Sequence, residues 1–134
     1  MKLKALVCGA ALMIISGQVM AGMVVVAGSG SDIPKLTQEQ VKDVFLGKNK
    51  NIKGLDMPDG SSIRNQFIEK VIGKSESQFK AYWSQKIFSG KGVPPKIVET
   101  SAEAKQMVNK YTNSIGYMDS SQVDASVKVV YTVN

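Results

Sequence analysis

Met57-Pro58-Asp59-Gly60-Ser61-Ser62-Ile63-Arg64-Asn65-Gln66-Phe67 reads as a loop that turns into a helix. Asp, Gly and two Ser stand where the first helical N–H groups lack a backbone acceptor. Such groups are met by a cap, by water or by a ligand. The helix dipole adds partial positive charge there and favours an anion. Ser61 and Ser62 add hydroxyls, and Arg64 adds a permanent cation within a turn. The stretch has two readings. Asp59, Ser61 or Ser62 caps the helix, the commonest use of these residue types. Alternatively, Gly60, Ser61, Ser62 and Arg64 hold a small oxyanion.

Working outward, Pro58 favours extended geometry at Met57, so a short strand is expected within 52–57. After Ser62, the apolar positions Ile63, Phe67, Ile68, Val71 and Ile72 define one helix face, and Gly73 stops it. Ser75 and Gln78 have capping-box spacing. Phe79, Tyr82, Trp83, Ile87 and Phe88 then recur at helical intervals and predict a core-facing helix, the largest single contributor to the core. Upstream, Thr37 and Gln40 form another capping box, Val41, Val44 and Phe45 a buried stripe, and Gly47 a helix stop. Met23-Val24-Val25-Val26-Ala27 reads as a buried strand. The loop after it, Gly28-Ser29-Gly30-Ser31-Asp32, offers Ser29 and Ser31 as further anion donors, although it matches no Walker or dinucleotide pattern. Downstream, Ser89-Gly90-Lys91-Gly92-Val93-Pro94-Pro95 is a loop of strong breakers, and Lys96-Ile97-Val98 a short strand. Thr100 and Glu103 mark a third capping box before a stripe of Ala104, Met107, Val108 and Tyr111. Ile115-Gly116-Tyr117-Met118 reads as a strand. Residues 126–133 read as another, with Val127, Val129, Tyr131 and Val133 on one face and Val130 opposite. Helices separated by strands predict an α/β sandwich around a central sheet.

Composition narrows the chemistry. The chain has no histidine, and its one cysteine is Cys8. That removes the usual zinc ligands, the usual general base and any Ser-His-Asp or Cys-His nucleophile. With no nucleophile elbow either, a hydrolase is not expected. Lys2 and Lys4, a short apolar run over 5–16 and Val19-Met20-Ala21 have the pattern of a secretory signal, with cleavage expected after Ala21. The apolar run is too short for an ordinary membrane span. A signal peptide over 1–21 and one domain over 22–134 are therefore expected. Seventeen Lys and Arg, two of them Lys2 and Lys4, stand against eleven Asp and Glu, so the part from Gly22 carries a net charge of +4. This mild excess favours anions in general. The lysines are scattered and not interleaved with aromatics, so no nucleic-acid partner is expected.

The motifs carry a resemblance. Leu36-Thr37-Gln38-Glu39-Gln40-Val41, running on to Phe45-Leu46-Gly47-Lys48, is similar to a segment of the periplasmic phosphate-binding proteins of ABC importers. Asp59-Gly60-Ser61-Ser62 resembles their Asp-Gly-Ser-Gly-Thr phosphate loop. Ser114-Ile115-Gly116-Tyr117 resembles their Gly-Ala/Ser-Ile-Gly-Tyr strand. Residues 82–95, with Tyr-Trp-Ser, Ile-Phe-Ser-Gly-Lys-Gly and Pro-Pro, resemble small secreted bacterial proteins named as phosphate-transporter substrate-binding proteins. The resemblance implies a single lobe of a type II periplasmic-binding-protein fold, a central mixed sheet flanked by helices. It implies Ser61 as the phosphate-binding serine, with Gly60 and Ser62 offering backbone N–H groups. Two positions depart from it. Met57 replaces an arginine, and Ser62-Ile63 replaces a Gly-Thr pair, with Arg64 as partial compensation.

The functional expectation is a secreted or periplasmic, non-enzymatic solute-binding protein. It would take phosphate or a similar oxyanion at Gly60, Ser61, Ser62 and Arg64, with Ser29 and Ser31 as added donors. No metal or cofactor is expected. An ABC-transporter membrane component or another periplasmic protein is the expected partner, and a homodimer would supply a missing wall. The alternative is a binding-protein lobe kept as a protein-interaction or structural module outside the cytoplasm. Asp59 or Asp56 is a candidate acceptor for a proton on the bound anion.

Overall fold

The computed structural model describes residues 22–134, so the expected signal peptide lies outside the described residues. The elements are β1 (Met23–Gly28), α1 (Gln38–Phe45), β2 (Lys53–Asp56), α2 (Ser62–Phe67), α3 (Glu76–Phe88), β3 (Lys96–Ile97), α4 (Ser101–Lys110), β4 (Ser114–Asp119) and β5 (Val127–Thr132). A π-helical turn, Ile68–Ile72, continues α2, and a 3₁₀ turn, Ser120–Gln122, follows β4. Among the described residues no helix is long and apolar enough to cross a membrane.

Local chemistry sets the helix ends. Thr37 and Ser75 each accept from the backbone N–H three residues on, while Gln40 and Gln78 reach back to complete both capping boxes. The third expected box is half formed: Thr100 caps Glu103 N, but the Glu103 carboxylate accepts from Glu99 N instead. Gly73 stops the helix in the left-handed region, at φ 78°.

The five strands form one mixed sheet in the order β3-β2-β4-β1-β5. β2 runs parallel to β3 and β4, whereas β1 is antiparallel to β4 and β5. Side-chain direction assigns the faces. A Cβ on Gly54 would come within 2.9 Å of the Phe45 ring of α1, whereas one on Gly116 would meet Ala104 of α4 at 3.8 Å. α4 therefore covers one face, and α1 and α2 the other. On the second face Phe67 stacks on Tyr117 with centroids 3.9 Å apart, and Phe45 meets Phe67 edge-on at 4.7 Å. This is the α/β sandwich the sequence predicts.

Two expectations are corrected. The alternation along β5 is broken, because Val25 pairs with Tyr131 but Val26 pairs with Val129. A β-bulge thus inserts Val130, which is buried, while Val129 and Tyr131 are half-buried. The aromatic helix is not the main source of core either. The largest fully buried side chains come from β1, β4, α1 and the α2–π segment, with Val98 after β3, among them Tyr117, Phe45, Phe67 and Ile68. Each such burial contributes about 1.5–3 kcal/mol relative to exposure. In α3 only Phe79 and Trp83 are buried, while Ile87 and Phe88 face solvent, Phe88 at 93 % exposure. The aromatics of α3 act as a clamp. Trp83 Nε1 donates to Phe45 O at 3.1 Å, and Tyr82 Oη donates to Leu46 O at 2.7 Å. They satisfy the open carbonyls at the end of α1. A side chain on Gly47, at φ 76°, would collide with the Trp83 ring at 2.8 Å.

Candidate functional site

The C-terminal end of β2 leads into the Met57–Arg64 turn. Gly60 adopts φ 82°, a conformation side chains resist, and the Ser61 N–H donates to Pro58 O at 3.2 Å. Ser61 Oγ accepts from Arg64 N at 3.3 Å, so Ser61 caps α2. Arg64 is the centre of the turn and is only 6 % exposed. Its Nε donates to Asp56 Oδ2 at 3.2 Å, and its Nη1 lies 3.0 Å from Asp59 Oδ1 and 2.6 Å from Glu76 Oε2. Asp56 is buried as well. Its Oδ1 accepts from Met57 N at 2.8 Å and from Tyr117 Oη at 2.5 Å.

Electrostatics keep Arg64 charged and Tyr117 protonated. Burial opposes the Arg64 charge, but Asp56, through its charge and hydrogen bond, and Asp59 outweigh that and raise the guanidinium above its usual range. Burial, then the charge and hydrogen bond of Asp56, push the Tyr117 phenol well above its usual range, so it remains a donor. Asp56, Asp59 and Glu76 against Arg64 and Lys80, which reaches Asp59 at 3.6 Å, leave one net negative charge.

Glu76 Oε2 occupies a particular position. It accepts from Arg64 Nη1 at 2.6 Å and also from Gly60 N at 3.2 Å. A backbone N–H and a guanidinium therefore converge on a single carboxylate oxygen, the donor pair an oxyanion takes. Glu76 opens α3 and its side chain is 31 % exposed, so it sits at the rim. Its involvement was not legible from the sequence. Its only local signal was an acidic residue at a helix start, which the dipole alone explains.

The six residues expected at an anion site do not form one cluster. Gly60, Ser61 and Arg64 come together. Ser62 is exposed and lines a separate hollow with Ile63, Gln66 and Lys70, to which Gly60, Ser61 and Arg64 do not contribute. Ser29 and Ser31 lie at the opposite end of the sheet. β1 is antiparallel to β4, which is parallel to β2, so the end of β1 lies beside the start of β2. Ser31 is buried there, donating to Thr112 O at 2.6 Å and accepting from Ile33 N at 3.1 Å, which makes it a loop staple. Asp56 has both carboxylate oxygens engaged by the protein, and Asp59 is paired with Arg64 and Lys80. Asp56 is therefore not a free acceptor for a ligand proton, whereas the Asp59 side chain is 63 % exposed. Among the described residues no group of three His, Cys, Asp or Glu is placed to hold a metal ion.

No protein-family model matches the sequence, and no curated protein does. Solved structures do. An ABC-type phosphate transport receptor from Vibrio cholerae superposes with a TM-score of 0.63 at 21% identity, over 82% of this chain and 45% of that one. A Clostridium perfringens protein described as a phosphate ABC transporter substrate-binding protein, solved with bound phosphate, gives 0.65 at 25% identity, over 90% and 51%. PstS from Borrelia burgdorferi gives 0.61 at 11% identity, over 91% and 54%. The chain spans about half the length of each. It has the mixed-sheet fold of one lobe of the substrate-binding proteins of phosphate ABC transporters.

Proposed function

We propose that the chain is an exported, non-enzymatic solute-binding lobe that takes phosphate or a similar small oxyanion at the Gly60–Arg64 turn by displacing Glu76. The observation that carries this reading is the convergence of Gly60 N and Arg64 Nη1 on Glu76 Oε2. The protein's own carboxylate stands in for an anion oxygen. The likeness to phosphate-transport proteins supports the choice of phosphate over larger solutes. Displacement is within reach because Glu76 lies at the rim, and Arg64 keeps its Asp56 partner when Glu76 leaves. One lobe does not enclose a ligand, so water competes for each donor and affinity is modest. A second copy of the chain, or a membrane component of an importer, would supply the opposite wall.

Isothermal titration with phosphate and then sulfate tests this. Removing the internal competitor by Glu76→Ala should tighten phosphate binding about tenfold, the worth of one lost charge-assisted contact. If the folded wild type and Glu76→Ala both give no heat at millimolar phosphate, the reading fails. The second reading, a protein-interaction or structural module, then stands. It is favoured by the net negative charge around Arg64 and by the exposed Ile87 and Phe88 at the end of α3 and Val93 in the loop after it.

A further inference from the structure

The opposite end of β2 borders a groove of about 660 Å³. Its origin is in the sequence of the β3 edge. β3 has two residues and pairs only with Leu55 and Asp56, so the edge of β2 at Lys53 and Gly54 has no strand beside it. The preceding Gly92-Val93-Pro94-Pro95 segment cannot close the gap, because proline has no N–H to donate to a ladder. It stands off as a wall instead. The end of α1 and the end of α4 complete the enclosure, with Val44, Leu55, Met107 and Tyr111 among the apolar lining.

The walls are fixed before any ligand arrives. Trp83 packs against Gly47 on one wall and approaches Gly92 on the other, where an added Cβ would lie 3.3 Å from its ring. The volume lies in the range of small-molecule sites, which are mostly apolar with a few placed polar groups. Here the charged ones are all cations, set beside the neutral Asn49, Asn113 and Ser114. Lys50, Lys53 and Lys96 line the groove, all exposed, and none is ion-paired among the described residues. No Asp or Glu lines it. An apolar trough ringed by unpaired ammonium groups complements a ligand with an apolar body and one anionic head. Two residues of free edge are too few to hold an added strand, which argues against an extended peptide.

We propose that this groove binds a small amphipathic carboxylate of the medium-chain fatty-acid type, with its tail against Leu55, Met107 and Pro94 and its head among Lys50, Lys53 and Lys96. The site is independent of the phosphate reading, because the parallel β2 strand separates it from Arg64.

Two-dimensional amide NMR with dodecanoate, kept below its micelle concentration, tests the proposal. Saturable shifts are expected at Gly54, Leu55, Gly92 and Lys96. Lys53→Glu with Lys96→Glu, both at exposed positions, should weaken binding about tenfold or more. Glu76→Ala should leave dodecanoate binding unchanged, which separates failure here from failure of the phosphate site. Equal binding of dodecanol or dodecylamine would overturn the proposal by reducing it to apolar adsorption. Shifts centred on Phe88 would do the same. Groove shifts that grow with protein concentration in the absence of dodecanoate would overturn it in favour of a second copy of the chain.

Discussion

The two ends of β2 treat charge in opposite ways. At its C-terminal end, Asp56, Asp59 and Glu76 close around Arg64, and Tyr117 completes the cluster. Toward its N-terminal end and along its β3 edge, where Lys96 pairs with Leu55, Lys50, Lys53 and Lys96 border an apolar groove with no acidic residue among its lining. Charge satisfied inside the protein holds elements together and is offered to a ligand only by exchange. Charge left in solvent beside apolar surface adds little to stability but is available at once. The anion site expected from the sequence is therefore the end where an anion must compete. The end with open cations drew no functional expectation.

The contrast makes graded predictions. Arg64→Leu should produce the largest effect. It strands Asp56 in the core, and breaking one partner of a buried pair costs about 3–5 kcal/mol. Urea unfolding measures it, and a loss below about 1 kcal/mol, the level of an exposed pair, would erase the distinction between the two ends. Tyr117→Phe keeps the ring on Phe67 but removes one donor to Asp56. Hydrogen bonds to charged groups contribute about 1.5–3 kcal/mol, so a loss of that size is expected at pH 7. It should also depend on pH. The folded phenol is raised above its unfolded value by burial first and by Asp56 second. Its contribution is then fully present below the unfolded pKa, about 10, and is lost as pH rises from there toward the folded value. The gap in stability between wild type and Tyr117→Phe should narrow in unfolding curves taken above that pH. A gap constant with pH would mean that folding does not raise the phenol above its unfolded value. The smallest effect belongs to the groove. Lys50→Ser, Lys53→Ser and Lys96→Ser should each change unfolding free energy by no more than about 0.5 kcal/mol. A larger loss would show that these lysines hold structure and would sharpen the case against a ligand role.

Much of the fold was legible because its signals are local. Thr37 with Gln40 and Ser75 with Gln78 place helix starts through contacts three residues apart. Gly47 and Gly73 place helix ends through backbone freedom. The short β2 and β3 strands were readable from Pro58 and the Pro94-Pro95 pair. The candidate site was half legible. Gly60, Ser61 and Arg64 do share one turn, yet Ser61 serves as a cap and Arg64 as the hub of an ion network. What Arg64 would pair with was not readable. Asp56 is eight residues away and Glu76 twelve, and Tyr117 reaches Asp56 across 61. Ser29 and Ser31 were grouped with the site by residue type alone, and the antiparallel run of β1 against β4 sends them to the far end.

By itself the sequence determined the element order, the Thr37 and Ser75 helix caps and the absence of histidine. Each depends on residues within a turn of one another or on composition alone. The tertiary structure decided which charges are spent and which remain. Strand order and direction bring Asp56, Arg64, Glu76 and Tyr117 into one desolvated cluster, and a two-residue edge strand leaves Lys53 and Lys96 beside an open groove. The interaction of a charge depends on its distance to other charges and on the water around it. Both are properties of the packed chain rather than of spacing along it.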